Sequence, residues 1–234
     1  MREIVFDTET TGFEPGEGHR IVEIGCVELM DHFPTGNTLQ FYLNPERDVP
    51  VESVRVHGLT GEFLADKPLF ADIAGDFLDF LGDAPLVIHN ASFDIKFINA
   101  ELQRVGKGPI PLARAIDTIE IAKRKIPGAR YSLDELCKRF GVDLTARTKH
   151  GALLDAQLTA EIYLELRKGG TDSGACACRT GRTEMRLTPA VSARFSVRVT
   201  RRSLLSTMSP SRFAKTSSSR CSARRAVARR RCSD

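Results

Sequence analysis

Five residues of this chain could do chemistry together: Asp7, Glu9, Asp94, His150 and Asp155. Asp7 and Glu9 stand one residue apart at the end of the apolar run Ile4-Val5-Phe6, with Thr8 between them and Thr10-Thr11-Gly12 behind. Side chains alternate along a strand, so both carboxylates leave from one face while Phe6 and Thr8 leave from the other. Two like charges held that close are costly unless a cation neutralises them. Taken singly, each residue has a bland reading. A D-x-E pair can be two solvated acids on an edge strand, Asp94 a first-turn acid favourable to the helix dipole, Asp155 another such acid, and His150 a surface or satisfied core residue. Taken together, four carboxylates and one imidazole suit Mg²⁺ or Mn²⁺, hard cations that prefer oxygen ligands. Two such ions can activate a water and stabilise a leaving 3′ oxygen on either side of a phosphodiester. A histidine can take the water's proton. The constellation predicts metal-dependent phosphodiester hydrolysis.

Those residues work only if the chain brings them to one cleft. β-forming, mostly apolar runs predict strands over 4–9, 21–29 and 39–43, with a loop at 13–20 and a turn at 33–38 marked by Pro34, Gly36 and Asn37. Asn44-Pro45 closes this antiparallel start. A short helix is expected within 51–60, ending near His57-Gly58. Phe70, Ile73, Ala74, Phe77 and Leu81 recur at helical spacing and predict a helix over 70–81. A strand over 85–90 then leads to a helix over 92–102 capped by Asn90 or Ser92, with Asp94 in its first turn. The segment 113–125 fits neither type clearly. Ser132 and Glu135 have the spacing of a capping box opening a helix over 133–140, which Gly141 stops. The last helix is expected over 150–167, with Asp155, Leu158, Ile162 and Leu166 on one stripe. The order describes an α/β domain, a mixed sheet flanked by helices.

Charge divides the chain. Residues 168–234 carry sixteen Lys and Arg against three acidic residues, a net of +13, and the whole-chain +4 leaves −9 for residues 1–167. The expected domains are therefore 1–168, compact, and 169–234, a disordered basic tail without helical period. Cys26 and Cys137 sit among apolar neighbours, as buried thiols in a reducing compartment would. Cys176, Cys178, Cys221 and Cys232 all lie in the tail, with no second close pair of zinc-ligand spacing. No apolar run opens the chain and none reaches eighteen residues, so a soluble cytoplasmic protein without membrane attachment is expected.

Three motifs carry a resemblance. Phe6-Asp7-Thr8-Glu9-Thr10-Thr11-Gly12, His89-Asn90-Ala91-Ser92-Phe93-Asp94 and His150-Gly151-Ala152-Leu153-Leu154-Asp155-Ala156 occur in the order and spacing of the DEDDh 3′–5′ exonucleases. Within that family the chain is similar to the epsilon-type proofreading subunits of bacterial DNA polymerase III, a likeness that Val56-His57-Gly58-Leu59-Thr60 and Tyr131-Ser132-Leu133-Asp134 extend over roughly residues 2–168. The resemblance implies a ribonuclease H-like fold and two Mg²⁺ or Mn²⁺ ions. Asp7 would bridge both ions, Glu9 and Asp155 would complete the first site, Asp94 would serve the second, and His150 would be the general base. It places Thr8 and Thr10 beside the terminal nucleotide. His57 resembles a position near the substrate, with fold support an equal alternative. His19 and His32 are expected in surface loops, and His89 in a structural role. The implied partners are a single-stranded or mismatched DNA 3′ end, the polymerase III catalytic subunit and the sliding clamp.

Beyond residue 168 the pattern departs from the family. Gln157 is the last glutamine, so no clamp-binding peptide of the usual form follows it. Residues 169–234 read either as a basic arm that attracts DNA phosphates or as the product of translation out of frame. Two other functions share the motifs or the fold. A stand-alone trimming exonuclease of the oligoribonuclease kind would carry the same five residues, whereas a binding module without activity would lack at least one.

Overall fold

The computed structural model describes residues 1–168. Its centre is a five-stranded mixed sheet in the order β3-β2-β1-β4-β5. β1 (Arg2–Thr10), β2 (Ile21–Met30) and β3 (Phe33–Tyr42) form an antiparallel meander. β4 (Leu86–Ile88) and β5 (Ala115–Asp117) add parallel to the other edge of β1. The mixed α/β reading therefore holds, and the central strand is the one that bears Asp7 and Glu9.

Helices cover both faces of the sheet. α1 (Val51–His57) and α2 (Gly61–Leu64) precede α3 (Phe70–Leu81) and α4 (Ala91–Arg104); α5 (Thr118–Lys125), α6 (Leu133–Phe140) and α7 (Ala152–Arg167) follow. Alternation along β1 splits the core. Phe6, Ile24 and Ile88 pack with Phe77 of α3 and Phe97 of α4 on one side. Val5, Val27, Leu29 and Val87 pack with Ala156, Ala160 and Tyr163 of α7 on the other. A third cluster joins Leu158, Ile162 and Leu166 to Leu133, Leu136 and Cys137 of α6 and to Ala122 of α5. Helix α7 is thus buried on two sides, which a single apolar stripe did not foresee. Cys26 and Cys137 are both buried, as expected.

Several boundaries differ from expectation, each for a local reason. The hairpin turns at Asp31-His32, not at 33–38. Both residues take left-handed φ, 51° and 68°, and the segment with Pro34, Gly36 and Asn37 belongs to β3, where Thr35 and Asn37 bond the carboxylate of Glu28. His32 is not a free surface residue: its Nδ1 lies 2.7 Å from Oε2 of fully buried Glu3, which also accepts from the Tyr163 hydroxyl at 2.7 Å. His19 packs its ring over Gly12 and contacts the Thr11 hydroxyl at 3.1 Å. The Ser132 side chain makes no cap bond, so the capping box does not form, although α6 runs and stops as expected. Asn90 takes the N-cap position of α4, but neither its side chain nor that of Ser92 makes the cap bond. Asn90 is left-handed, and Asp117 at the end of β5 accepts from the Asn90 and Ala91 N–H groups instead. Helix α7 begins at Ala152, which leaves His150 in the loop before it. The tail expected over 169–234 lies outside the described residues.

Candidate active site

The C-terminal end of β1, the first turns of α4 and α7, and the loop before α7 meet in a cleft of about 590 Å³. All eight residues singled out in the sequence line it: Asp7, Thr8, Glu9, Thr10, His57, Asp94, His150 and Asp155. Glu9, His150 and Asp155 come closest, each offering a ligand atom within 4.8 Å of the others.

The charges follow from burial. Asp94 is 2% exposed and accepts the Thr8 hydroxyl at 2.7 Å. Burial raises its carboxyl above the ordinary range, and the Thr8 bond offsets only part of that. Burial also raises Asp7, with repulsion from Asp94 and Glu9 adding to it. Glu9 is pushed up to about 8, by burial first and then by Asp155 and Glu23. Three carboxyls held high by burial, and further by neighbouring carboxylates, form a ligand set short of positive charge. An oxygen-rich site of that kind fits a divalent cation.

Asp155 is the exception. Burial would raise it, yet Arg147 and His150 hold it below its usual range. Arg147 donates to both Asp155 oxygens at 2.6 and 2.7 Å, to Asp134 at 2.6 Å, and lies 2.9 Å from Nδ1 of His150. It is the one Lys or Arg among the described residues lining the cleft. Sequence reasoning gave it no role, although a cation three residues before His150 was the available signal. Asp117 was missed too. Its carboxylate serves the start of α4 and, through the Ile119 N–H at 2.8 Å, the start of α5. An Asp-Thr pair is an ordinary helix-start signal, but nothing local announces the second helix.

The remaining expected residues are placed as follows. The Thr8 hydroxyl is spent on Asp94 and that of Thr10 on the Gly12 carbonyl at 2.6 Å. His57 is buried. Its Nδ1 accepts from the Leu59 N–H, its Nε2 has no partner among the described residues, and burial lowers its pKa. His89 sits at the cleft edge, 2.8 Å from the Thr118 hydroxyl.

Residues 4–163 match the family model described as exonuclease, RNase_T. The chain belongs to this exonuclease family. Among curated relatives, DNA polymerase III subunit epsilon of Rickettsia felis is 55% identical over 172 residues, covering 72% of this chain and 75% of the relative. The same subunit of Escherichia coli is 47% identical over 178 residues, 73% of each. Among solved structures, exonuclease X in complex with 5′ overhanging duplex DNA aligns with a TM-score of 0.54 and 26% identity, over 70% of this chain and 90% of that one. The nuclease domain of 3′hExo, described as a DEDDh family member bound to rAMP, aligns with a TM-score of 0.63 over 72% and 92% of the two chains; at 22% identity it speaks for the fold. In this exonuclease, the family resemblance read from three short motifs and the cleft where their acids converge agree. Among the described residues no helix is long and apolar enough to cross a membrane.

Proposed function

We propose that residues 1–168 are the catalytic domain of a proofreading 3′–5′ exonuclease that removes 5′-mononucleotides from a single-stranded or mismatched DNA 3′ end, with two Mg²⁺ or Mn²⁺ ions held by Asp7, Glu9, Asp94 and Asp155. The observation that carries this reading is the approach of Glu9, His150 and Asp155 to within 4.8 Å of one another. Divalent cations bound there would supply the positive charge needed by an attacking water and a departing 3′ oxygen. His150, with a side chain 48% exposed at the cleft mouth, is positioned to accept the water's proton. The Thr8 and Thr10 hydroxyls already donate to Asp94 and the Gly12 carbonyl, so toward the terminal nucleotide they are left as acceptors. His57, buried beside Thr10, supports the wall of the cleft.

The test is incubation of the chain with 5′-labelled single-stranded DNA and Mg²⁺. A ladder shortened from the 3′ end, release of 5′-mononucleotides and silence in EDTA are expected. Internal cuts, or undiminished activity in EDTA, would overturn the reading. A matched RNA strand shortened faster than the DNA would move the chain to the trimming exonucleases.

A further inference from the structure

The two metal-ligand candidates on β1 have partners on β2 that touch the opposite wall of the cleft. In the antiparallel register Asp7 pairs with Gly25 and Glu9 with Glu23. Gly25 and Glu23 are two residues apart, so they share a face of β2. That face meets the first turn of α7. A Cβ on Gly25 would lie 2.2 Å from the Leu153 nitrogen and 2.3 Å from the Ala152 carbonyl carbon. Only a bare Cα lets the helix come this near.

Glu23 is 2% exposed, although it sits directly across from another carboxylate. Such a cross-strand pair of acids is unfavourable in itself. Its carboxylate faces the Ala152 and Leu153 N–H groups and accepts the Gln40 side-chain amide at 2.7 Å. Helix α7 has no cap of its own, because Gly151 at its N-cap has no side chain. The first N–H groups of a helix need an acceptor, and the carboxylate that faces them is that of Glu23 on β2.

From this we infer that Glu23 and Gly25 form the seat that sets α7, and with it Asp155 and the adjoining His150, against Asp7 and Glu9. Resting on the exonuclease reading above, this makes Glu23 a positioning residue for the reaction. The helix could have been capped locally. An acceptor on β2 instead ties its height to the two residues opposite Asp7 and Glu9, so Asp155 shares one frame with those two carboxylates.

The test compares Glu23→Ala, Glu23→Gln and the double variant Glu23→Ala/Gly151→Ser in the full chain. Gly151 has extended φ of −159°, and a Cβ there meets nothing nearer than Glu23 Oε2 at 4.0 Å. A serine at this position can therefore cap α7 from its own chain. Melting in EDTA and amide exchange over residues 152–156 report the helix. Mn²⁺ affinity by electron paramagnetic resonance and single-turnover cleavage at saturating Mn²⁺ report the site. Glu23→Ala should weaken Mn²⁺ binding about 10-fold and slow cleavage by at least about 10-fold. Glu23→Gln, which keeps one acceptor oxygen, should recover part of both. The double variant should recover melting temperature and amide protection but neither Mn²⁺ affinity nor rate. A double variant with wild-type affinity and rate would reduce Glu23 to a helix cap, and an unaffected Glu23→Ala would remove the seat altogether. A wild-type chain that binds Mn²⁺ but leaves DNA intact would end the exonuclease reading, and the Mn²⁺ affinities alone would then decide the seat.

Discussion

Arg147 holds Asp155 with two arms of its guanidinium, Nε to Oδ1 at 2.6 Å and Nη2 to Oδ2 at 2.7 Å. Both side chains are nearly enclosed, 8% and 5% exposed. Removing one member of such a pair leaves the other as an uncompensated buried charge. Arg147→Ala should therefore destabilise the protein in EDTA by about 3 kcal/mol. Saturating Mn²⁺ should shrink that loss, because a bound cation also neutralises Asp155. Urea unfolding with and without Mn²⁺ checks this, and equal losses in both would refute it.

Asp7, Glu9 and Asp94 all keep their protons to higher pH folded than unfolded. Between the unfolded value of 4.5 and the folded value of about 8 for Glu9, the native state binds more protons than the unfolded state. The contribution of these carboxyls to stability falls as pH rises through that window, partly opposed by His57 and His89, whose pKa values burial lowers. Asp155 has the opposite sign, since its folded pKa lies below 3.8 and its contribution is lost only as pH falls past that value. In EDTA the melting temperature should decline from pH 5 to 8, and Mn²⁺ should flatten the decline. A rise with pH in EDTA would contradict the charge balance of the cleft.

His150→Ala should lower turnover by about 10²–10⁴-fold with little change in melting temperature, because the side chain is half exposed and lies outside α7. Circular dichroism and exonuclease rate on one preparation separate lost chemistry from lost fold. An unfolded variant would mean that the residue is structural.

Asp117→Ala removes the acceptor for the N–H groups of Asn90, Ala91 and Ile119 at once. A lost cap costs about 1 kcal/mol, and two helices share this one, so a loss of about 2 kcal/mol is expected. Amide exchange should quicken at 90–94 and 118–121 together. Quickening at only one of them would show that the two starts are independent.

Residues 169–234 are proposed to be dispensable for catalysis. A chain ending at Lys168 should keep the single-turnover rate of the full chain and bind DNA less tightly at low salt, since it loses a strongly basic segment. That difference should fade as salt rises, because released counterions carry it. A large fall in single-turnover rate on truncation would refute the proposal.

The parts of the fold legible in the sequence were those written in local periods. Phe70 through Leu81 marks α3 by spacing, and the β-forming run Ile4-Val5-Phe6 marks β1. The acids were legible because their motifs are short and ordered. Less legible was whatever depends on a distant partner. Asp117 caps α4 from β5, Glu23 faces the start of α7 from β2, and Arg147 reaches Asp134 and Asp155 out of a loop with no pattern. Asp31 and His32 turn the hairpin without the glycine that usually signals such a turn. Ser132 had the right spacing for a capping box, yet its hydroxyl goes unused.

Helix α7 starts beside the cleft and ends beside Glu3, near the opposite end of β1 from Glu9. Asp155 lies in its first turn and Arg167, bonded to the Tyr163 hydroxyl, in its last. At 1.5 Å per residue the thirteen steps from Asp155 to Lys168 span about 20 Å. Anything the chain carries beyond Lys168 therefore departs about 20 Å from the reacting centre. An attachment made at Lys168 is for that reason proposed to leave the cutting rate unchanged.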